Sequence, residues 1–271
     1  MAPIELNAII AQKIEVSPGL FILRVVPDGW ELPDFESGQF TVLGLPGTAP
    51  RYQFSDEEEP LADPTKIIRR AYSVASASQN KEFIEFYITM VRSGSLTPRL
   101  FNLKPGDRVF LSSKFTGLFT LEMVPEDANV ILISTGTGLA PYMSMLRAGL
   151  DCNGPKKYLV VHGARHSWDL GYRSELITIA SVCNNFKYIP AITRPDKEHI
   201  KWGGKTGYIQ DLWNNGTIKK DAGFDPKPEN THIFLCGNPA MLETMAVDLA
   251  KEGFVEHTKK VTGQIHLERY W

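Results

Sequence analysis

The stretch Val130-Ile-Leu-Ile-Ser-Thr-Gly-Thr-Gly-Leu-Ala-Pro141 decides the fold of the second half of this chain. Its four leading apolar residues predict a short strand buried on both faces, and a helix is predicted over Leu139–Leu150, after the glycines. Strand, glycine turn and helix form a geometry in which backbone N–H groups receive a phosphate, although a turn without a ligand is the alternative. Pro141 replaces the third glycine of G-x-G-x-x-G, and no Gly-Lys-Ser/Thr follows, so neither common nucleotide motif is present.

The chain after residue 129 alternates predicted strands and helices. The strands are Val130–Ile133, Tyr158–His162, Phe186–Ile192, His232–Leu235 and Gln264–Leu267. The remaining helices are Ser174–Val182, Tyr208–Asn214 and Pro239–Lys251. This alternation predicts an α/β doubly wound parallel sheet, which binds its ligand beyond the C-terminal ends of its strands.

The first half of the chain has short apolar stretches separated by Gly and Pro turns. Strands are predicted at Ala8–Gln12, Leu20–Val26, Gln39–Leu45, Ala71–Ala75, Phe83–Arg92 and Arg108–Ser112. This spacing predicts an antiparallel β-barrel or sandwich. One helix is expected at Thr97–Asn102, with Thr97 as N-cap and Pro98 at its first position. The acidic segment Pro50–Arg69 is expected to be a solvated surface loop or hairpin insertion.

Length and composition restrict the class of protein. A chain of 271 residues is long for one domain and suits two, which we expect at 1–125 and 126–271. The net charge of −2 argues against nucleic-acid binding. Three cysteines without a C-x-x-C spacing exclude a four-cysteine iron–sulfur cluster and suit a reducing cytoplasm. No stretch resembles a signal peptide or a membrane span, so we expect a soluble cytoplasmic protein.

Several residue patterns suit an anionic ligand. On a strand, Arg70 and Tyr72 share one face, so a cation and an aromatic ring can contact one ligand. The turn Gly94–Thr97 leads into a helix and offers N–H groups to an anion. Arg165 ends the second predicted parallel strand, where an NAD enzyme would carry an acidic residue, and Arg194 ends the third. Two guanidiniums favour the 2′-phosphate of NADP(H).

The ordered set of motifs resembles a bacterial-type ferredoxin/flavodoxin–NADP reductase over nearly the full length. The motifs are Arg70-Ala-Tyr-Ser73, Gly94-Ser-Leu-Thr97, Thr135-Gly-Thr-Gly-Leu-Ala-Pro141, Cys236-Gly-Asn-Pro239 and Tyr270-Trp271. The resemblance implies an N-terminal FAD-binding β-barrel and a C-terminal NADP(H)-binding α/β domain. It implies a flavoenzyme that transfers electrons between NADPH and ferredoxin or flavodoxin, by hydride transfer to FAD N5 and one-electron steps. No metal is implied.

The resemblance also implies site residues. For FAD they are Arg70, Ala71, Tyr72, Ser73, Phe86, Tyr87, Ile88, Gly94, Ser95, Leu96, Thr97, Thr135, Tyr270 and Trp271. For NADP they are Thr135, Gly136, Thr137, Gly138, Ala164, Arg165, Thr193, Arg194, Lys205, Tyr208, Cys236, Gly237, Asn238 and Pro239. The residues implied at the reaction centre are Ser73, Cys236, Glu268 and Trp271. Trp271 would cover the flavin face and compete with nicotinamide.

The sequence departs from the family pattern in places. The insertion Pro50–Arg69 is longer than usual, and its role is open. A further arginine of many bacterial members is missing, so Lys205 or Tyr208 would contact the 2′-phosphate. Two alternatives to the main hypothesis remain: a cluster-free reductase component that delivers electrons to an oxygenase, and a non-catalytic nucleotide-binding module. The physiological carrier, the direction of electron flow and the oligomeric state are not specified by the sequence.

Overall fold

The structure is a computed structural model that describes residues 5–269. The chain divides into two compact units. The first comprises the residues up to Thr120 together with Ala140–Gly149, and the second comprises Leu121–Leu139 and the residues from Leu150 onward.

The first unit is an antiparallel barrel. Its strands are β1 Ala8–Ser17, β2 Leu20–Pro27, β3 Phe40–Pro46, β4 Ile67–Ser73, β5 Ile84–Thr89 and β6 Arg108–Leu111. The strand order is β4-β3-β6-β1-β2-β5, and a bridge between Val74 and Phe86 joins the two edges of this sheet. The predicted barrel is therefore confirmed. The alternating apolar residues of these strands, such as Phe21, Leu43 and Val109, form its core.

Two helices belong to this unit, α1 (Thr97–Asn102) and α2 (Ala140–Gly149). Helix α2 follows the glycine turn in the chain and packs with the barrel: Arg147 Nη1 lies 2.7 Å from the buried Glu85 carboxylate. The prediction that Thr97 is an N-cap is wrong. Leu96 holds that position without a side-chain cap, because the Thr97 hydroxyl bonds the backbone of Val91 instead.

The second unit is a parallel sheet with helices. Its strands are β7 Asn129–Thr135, β8 Tyr158–Ala164, β9 Phe186–Ile192, β10 Lys205–Thr206, β11 Thr231–Cys236 and β12 Ile265–Glu268. Its helices are α3 Arg173–Val182, α4 Ile209–Asn214, α5 Thr217–Ala222 and α6 Pro239–Lys251. All pairings in the order β10-β9-β8-β7-β11-β12 are parallel, which confirms the predicted α/β class.

The strand order of the second unit places a topological switch at β7. The chain continues from β7 to β8 on one side and later returns to β11 on the other. Ligands of such sheets bind beyond the strand ends at this point. Cys152 and Cys183 form a disulfide with Cα atoms 4.6 Å apart, a pair that their spacing in the sequence did not indicate. Within residues 5–269, no helix is long and apolar enough to cross a bilayer.

Candidate functional site

Strand β4 carries the first group of predicted site residues. Arg70 is exposed, its Nη1 donates to the carbonyl of Arg69 at 2.8 Å, and it forms no ion pair within the described residues. Tyr72 packs edge-on against Phe86 with ring centroids 6.3 Å apart. Burial raises the pKa of Tyr72 above its ordinary value, so its hydroxyl stays protonated. A guanidinium without a carboxylate partner, two residues from an aromatic ring, is suited to a phosphate contact.

The predicted site residues next to Arg70 and Tyr72, and those of β5, have mainly backbone groups with which to contact a ligand. Ser73 is buried where β4 ends, whereas Ala71 is exposed. Phe86, Tyr87 and Ile88 lie in β5 and are at most 3% exposed, and Phe86 and Ile88 form part of the barrel core. The side chains of Phe86 and Ile88 face the core, so these two residues are suited to contact a ligand through their main-chain atoms.

The turn before α1 has N–H groups available to a ligand. Gly94 N–H donates to Val91 O at 2.9 Å, and the Thr97 hydroxyl accepts from Val91 N–H at 2.9 Å. The N–H groups of Ser95, Leu96 and Thr97 donate to no acceptor in the part of the chain that the structure describes. Three consecutive N–H groups of this kind suit the oxygens of an anion.

The acidic segment 50–69 differs from the expected solvated loop at two places. The side chain of Glu58 is 8% exposed, because it is enclosed by the guanidiniums of Arg51 and Arg99. Ile67–Arg69 belong to β4, paired with the end of β3. The sequence does not indicate this cluster, since its members are distant in the chain and share no periodic pattern.

At the switch point of the second unit, the ends of β7 and β11 are joined. Asn238 N–H donates to Thr135 Oγ1 at 2.7 Å. A Cβ atom added to Gly138 would lie 2.4 Å from the carbonyl oxygen of Cys236, so only glycine fits there. Gly237 has a φ of +135°, which also favours glycine. The predicted residues Gly136, Thr137 and Pro239 lie in the same two turns, where Gly136–Leu139 form a short 3₁₀ helix.

His162 lies next to these turns and was not predicted as a site residue. It is fully buried on β8, and its Nε2 is 3.2 Å from the carbonyl oxygen of Gly136. Burial lowers its pKa to about 4, so the ring is neutral at physiological pH. A neutral imidazole next to a carbonyl donates from that nitrogen, so His162 Nε2–H supports the glycine turn from inside the sheet.

Cys236 and Glu268 are adjacent in the parallel register of β11 and β12. Both are buried, and the thiol of Cys236 donates to Glu268 Oε2 at 3.8 Å. Two of the four residues predicted for the reaction centre are therefore in contact. Tyr270 and Trp271 lie outside the described residues.

Arg165 and Arg194 follow β8 and β9 and are joined through their backbones. Arg194 N–H donates to Arg165 O at 3.0 Å, and Thr193 N–H donates to Ala164 O at 3.0 Å. Both guanidinium side chains belong to exposed residues and form no ion pair within residues 5–269. The backbone bonds thus place two arginines without ion pairs among the described residues at neighbouring strand ends.

The other two candidates for the 2′-phosphate differ in availability. Lys205 Nζ is 2.6 Å from a carboxylate oxygen of Asp221, so its charge is already paired. Tyr208 is 61% exposed at the N-cap position of α4.

Comparison with known proteins identifies the family. A model of the oxidoreductase NAD-binding domain matches residues 132–246. A flavodoxin/ferredoxin–NADP reductase from Buchnera aphidicola subsp. Schizaphis graminum is 32% identical over 242 residues, which cover 89% of this chain and 90% of that protein. The chain belongs to the flavodoxin/ferredoxin–NADP reductase family. It is therefore an oxidoreductase of this type.

Solved structures show the same fold. A ferredoxin NADP+ reductase from Neisseria gonorrhoeae, with bound FAD and NADP, matches with a TM-score of 0.81 and 23% identity over 98% of both chains. A cytochrome P450 reductase from Amycolatopsis matches with a TM-score of 0.73 and 23% identity over 98% of this chain and 69% of that one. Since reductases with different acceptors share this fold, the fold alone does not specify the electron acceptor.

Proposed function

We propose that this chain transfers electrons between NADPH and a ferredoxin or flavodoxin, with FAD as its resident cofactor. The observation that carries the proposal is its membership of the reductase family, through a sequence match that spans both units. The oxygenase-reductase alternative has weaker support, because it rests on a likeness of fold alone.

The donors of the barrel suit FAD. Arg70 and the N–H groups of Ser95–Thr97 would bind the pyrophosphate, while Tyr72 would pack along the flavin and Ser73 would lie near N5. We assign residues 1–125 to this FAD-binding domain and residues 126–271 to the NADP(H)-binding domain, from which α2 departs by clustering with the first unit. When bound, the flavin supplies the conversion between two-electron and one-electron transfer.

The strand ends of the second unit suit NADP(H). The turns at Thr135–Gly138 and Cys236–Pro239 would receive the nicotinamide half of the dinucleotide, and Arg165 with Arg194 would bind the 2′-phosphate. We propose Tyr208 rather than Lys205 as the further contact to this phosphate, because Asp221 already pairs Lys205.

Two residues would act close to the reacting atoms. The thiol of Cys236 donates a hydrogen bond to Glu268 Oε2, which orients the buried carboxylate and fixes the thiol beside it. We propose that this pair positions the nicotinamide ring and limits the access of water. Trp271 is proposed to cover the flavin when NADPH is absent. Since NADPH is the electron donor, we also propose a cytoplasmic location.

Cofactor analysis tests this proposal. The purified protein should release stoichiometric FAD on denaturation, and NADPH should bleach its flavin absorbance anaerobically much faster than NADH does. Release of FMN, or an absorbance that NADPH leaves unchanged, would exclude the proposed function.

A further inference from the structure

The insertion at residues 50–69 contains a buried ion cluster. The carboxylate of Glu58 pairs with Arg99 through two hydrogen bonds of 2.8 Å, Nη1 to Oε1 and Nη2 to Oε2. Arg51 Nη1 approaches the same Oε1 at 3.2 Å. Hydrogen bonding to Arg99 is the main reason that the pKa of Glu58 is lowered to about 2, so Glu58 is ionised throughout the neutral range.

Both arginines of this cluster donate hydrogen bonds to backbone carbonyl oxygens of the same turn, residues 92–95. Arg99 Nη1 donates to Ser95 O at 2.6 Å. Arg51 donates to Gly94 O at 2.9 Å and to Arg92 O at 3.2 Å. The carbonyls of Arg92, Gly94 and Ser95 are therefore occupied by guanidinium donors, whereas the N–H groups of Ser95, Leu96 and Thr97 donate to no acceptor within the described residues.

Glu58 is the anionic partner of both guanidiniums, which also donate to backbone carbonyls: Arg99 to Gly47 O at 2.7 Å and Arg51 to Asp56 O at 2.9 Å. The side chain of Arg99 is 3% exposed, and within the described residues Glu58 is the carboxylate that it contacts. A buried guanidinium without a counter-charge is strongly unfavourable, so loss of Glu58 would drive Arg99 toward solvent and away from Ser95. The insertion thus controls the shape of a turn that is separated from Glu58 by more than thirty residues of chain.

We propose that Glu58 is a positioning residue for FAD: through Arg51 and Arg99 it holds residues 92–97 in the conformation whose N–H groups receive the pyrophosphate. This inference rests on the proposed function, since it assumes that the turn binds FAD. It assigns to the insertion a role in the affinity for the cofactor.

The test compares Glu58→Gln with Glu57→Gln, which removes the same charge from the exposed neighbouring residue. FAD release from the holoenzyme is followed by flavin fluorescence, and NADPH binding is measured separately. Glu58→Gln should raise the FAD dissociation constant about tenfold or more, with the NADPH dissociation constant unchanged. Glu57→Gln should match the wild type. An FAD dissociation constant that Glu58→Gln leaves unchanged would overturn the proposal.

A second variant covers the case in which Glu58→Gln gives little folded protein. Arg51→Gln keeps the Glu58–Arg99 pair and removes the bonds to Gly94 and Arg92. It should fold and should weaken FAD binding by a smaller factor of about three to ten. Wild-type FAD affinity in this variant would contradict the proposal.

A charge-free double variant separates positioning from general stability. Glu58→Leu combined with Arg99→Met replaces the buried pair by apolar side chains, which often preserves the stability of a protein. The melting temperature should return close to that of the wild type, while FAD binding should stay weak. Recovery of FAD affinity together with stability would show that the pair is only structural. Wild-type protein that holds no FAD would refute the proposed function itself.

Discussion

Thr135 and Asn238, 103 residues apart in the sequence, are joined by a hydrogen bond of 2.7 Å from the backbone N–H of Asn238 to Thr135 Oγ1. This bond connects the ends of β7 and β11 at the point where the strand order reverses. The side chain of Asn238 in turn caps α6 by accepting from the N–H groups of Ala240 and Met241. One hydroxyl therefore fixes the relative positions of the two turns that we assign to NADP(H).

Thr135→Val should weaken NADPH binding, because it removes this hydroxyl and leaves an N–H group without its acceptor. We expect a loss of about 1 kcal/mol in the free energy of unfolding and a several-fold higher NADPH dissociation constant. Titration calorimetry and urea unfolding measure the two quantities. Thr135→Ser retains the hydroxyl and should behave like the wild type; equal defects in both variants would rule out the hydrogen bond as the cause.

Arg70→Ala should lose affinity for FAD. A charge-assisted contact to phosphate contributes about 1.5–3 kcal/mol, or roughly one to two decades in the dissociation constant. Arg69→Ala is the matched control, since Arg69 lies over the ring of Phe110 on the other face of β4 and should not contact FAD. If both variants release FAD equally, or if neither does, Arg70 does not bind the cofactor.

The double change Arg165→Ala and Arg194→Ala should remove the preference for NADPH. Both residues are exposed, so solvent screening reduces their effect, and we expect a loss of about two decades in NADPH affinity. NADH affinity should stay within about threefold, because NADH lacks the 2′-phosphate. Equal losses with both nucleotides would mean that these arginines do not bind this phosphate.

Because of its buried histidines, we expect the free energy of unfolding of the second unit to fall in acid. Burial lowers the pKa of His162 to about 4 and that of His266 to about 3, the latter with a further contribution from His232 and His257. The unfolded chain protonates these rings below about pH 6.5, whereas the folded chain does not, so acid favours unfolding. The free energy of unfolding should fall by about 1.4 kcal/mol per pH unit for each ring below pH 6.5.

Urea unfolding at a series of pH values measures this slope. Replacing His162 with glutamine should remove the contribution of this ring to the slope between pH 6.5 and about 4. An unchanged slope in His162→Gln would show that this histidine is not the source.

Helices and strands whose ends carry capping residues or bound a compact apolar run were predictable from the sequence. Helix α6 begins where Asn238 and Pro239 mark its start, and β9 was predicted with its observed bounds because its apolar run is compact. Helix α5 was missed because it spans only six residues, bracketed by Gly216 and Gly223. Strand β4 was predicted four residues late, since its first half includes two consecutive exposed arginines, Arg69 and Arg70, which break the apolar pattern.

The residues of the candidate site also divide into those that the sequence predicted and those that it did not. Residues in local motifs, such as Arg70 and Thr135, could be identified from the chain itself. Glu58 and His162 could not, because their roles depend on contacts with Arg99 and Gly136, which only the folded chain brings close. An acidic run and a histidine in an apolar strand gave no sign of those contacts.

The central claim is tested most directly by an anaerobic titration. NADPH is added to a catalytic amount of holoenzyme that is mixed with an excess of oxidised carrier protein. The ferredoxins and flavodoxins of the same organism are each purified, and the absorbance of every carrier is followed. Because NADPH donates two electrons and each carrier accepts one, each NADPH consumed should yield two reduced molecules of at least one carrier. Flavin that NADPH bleaches while every ferredoxin and flavodoxin stays oxidised would contradict the assignment and would favour an oxygenase component as the acceptor.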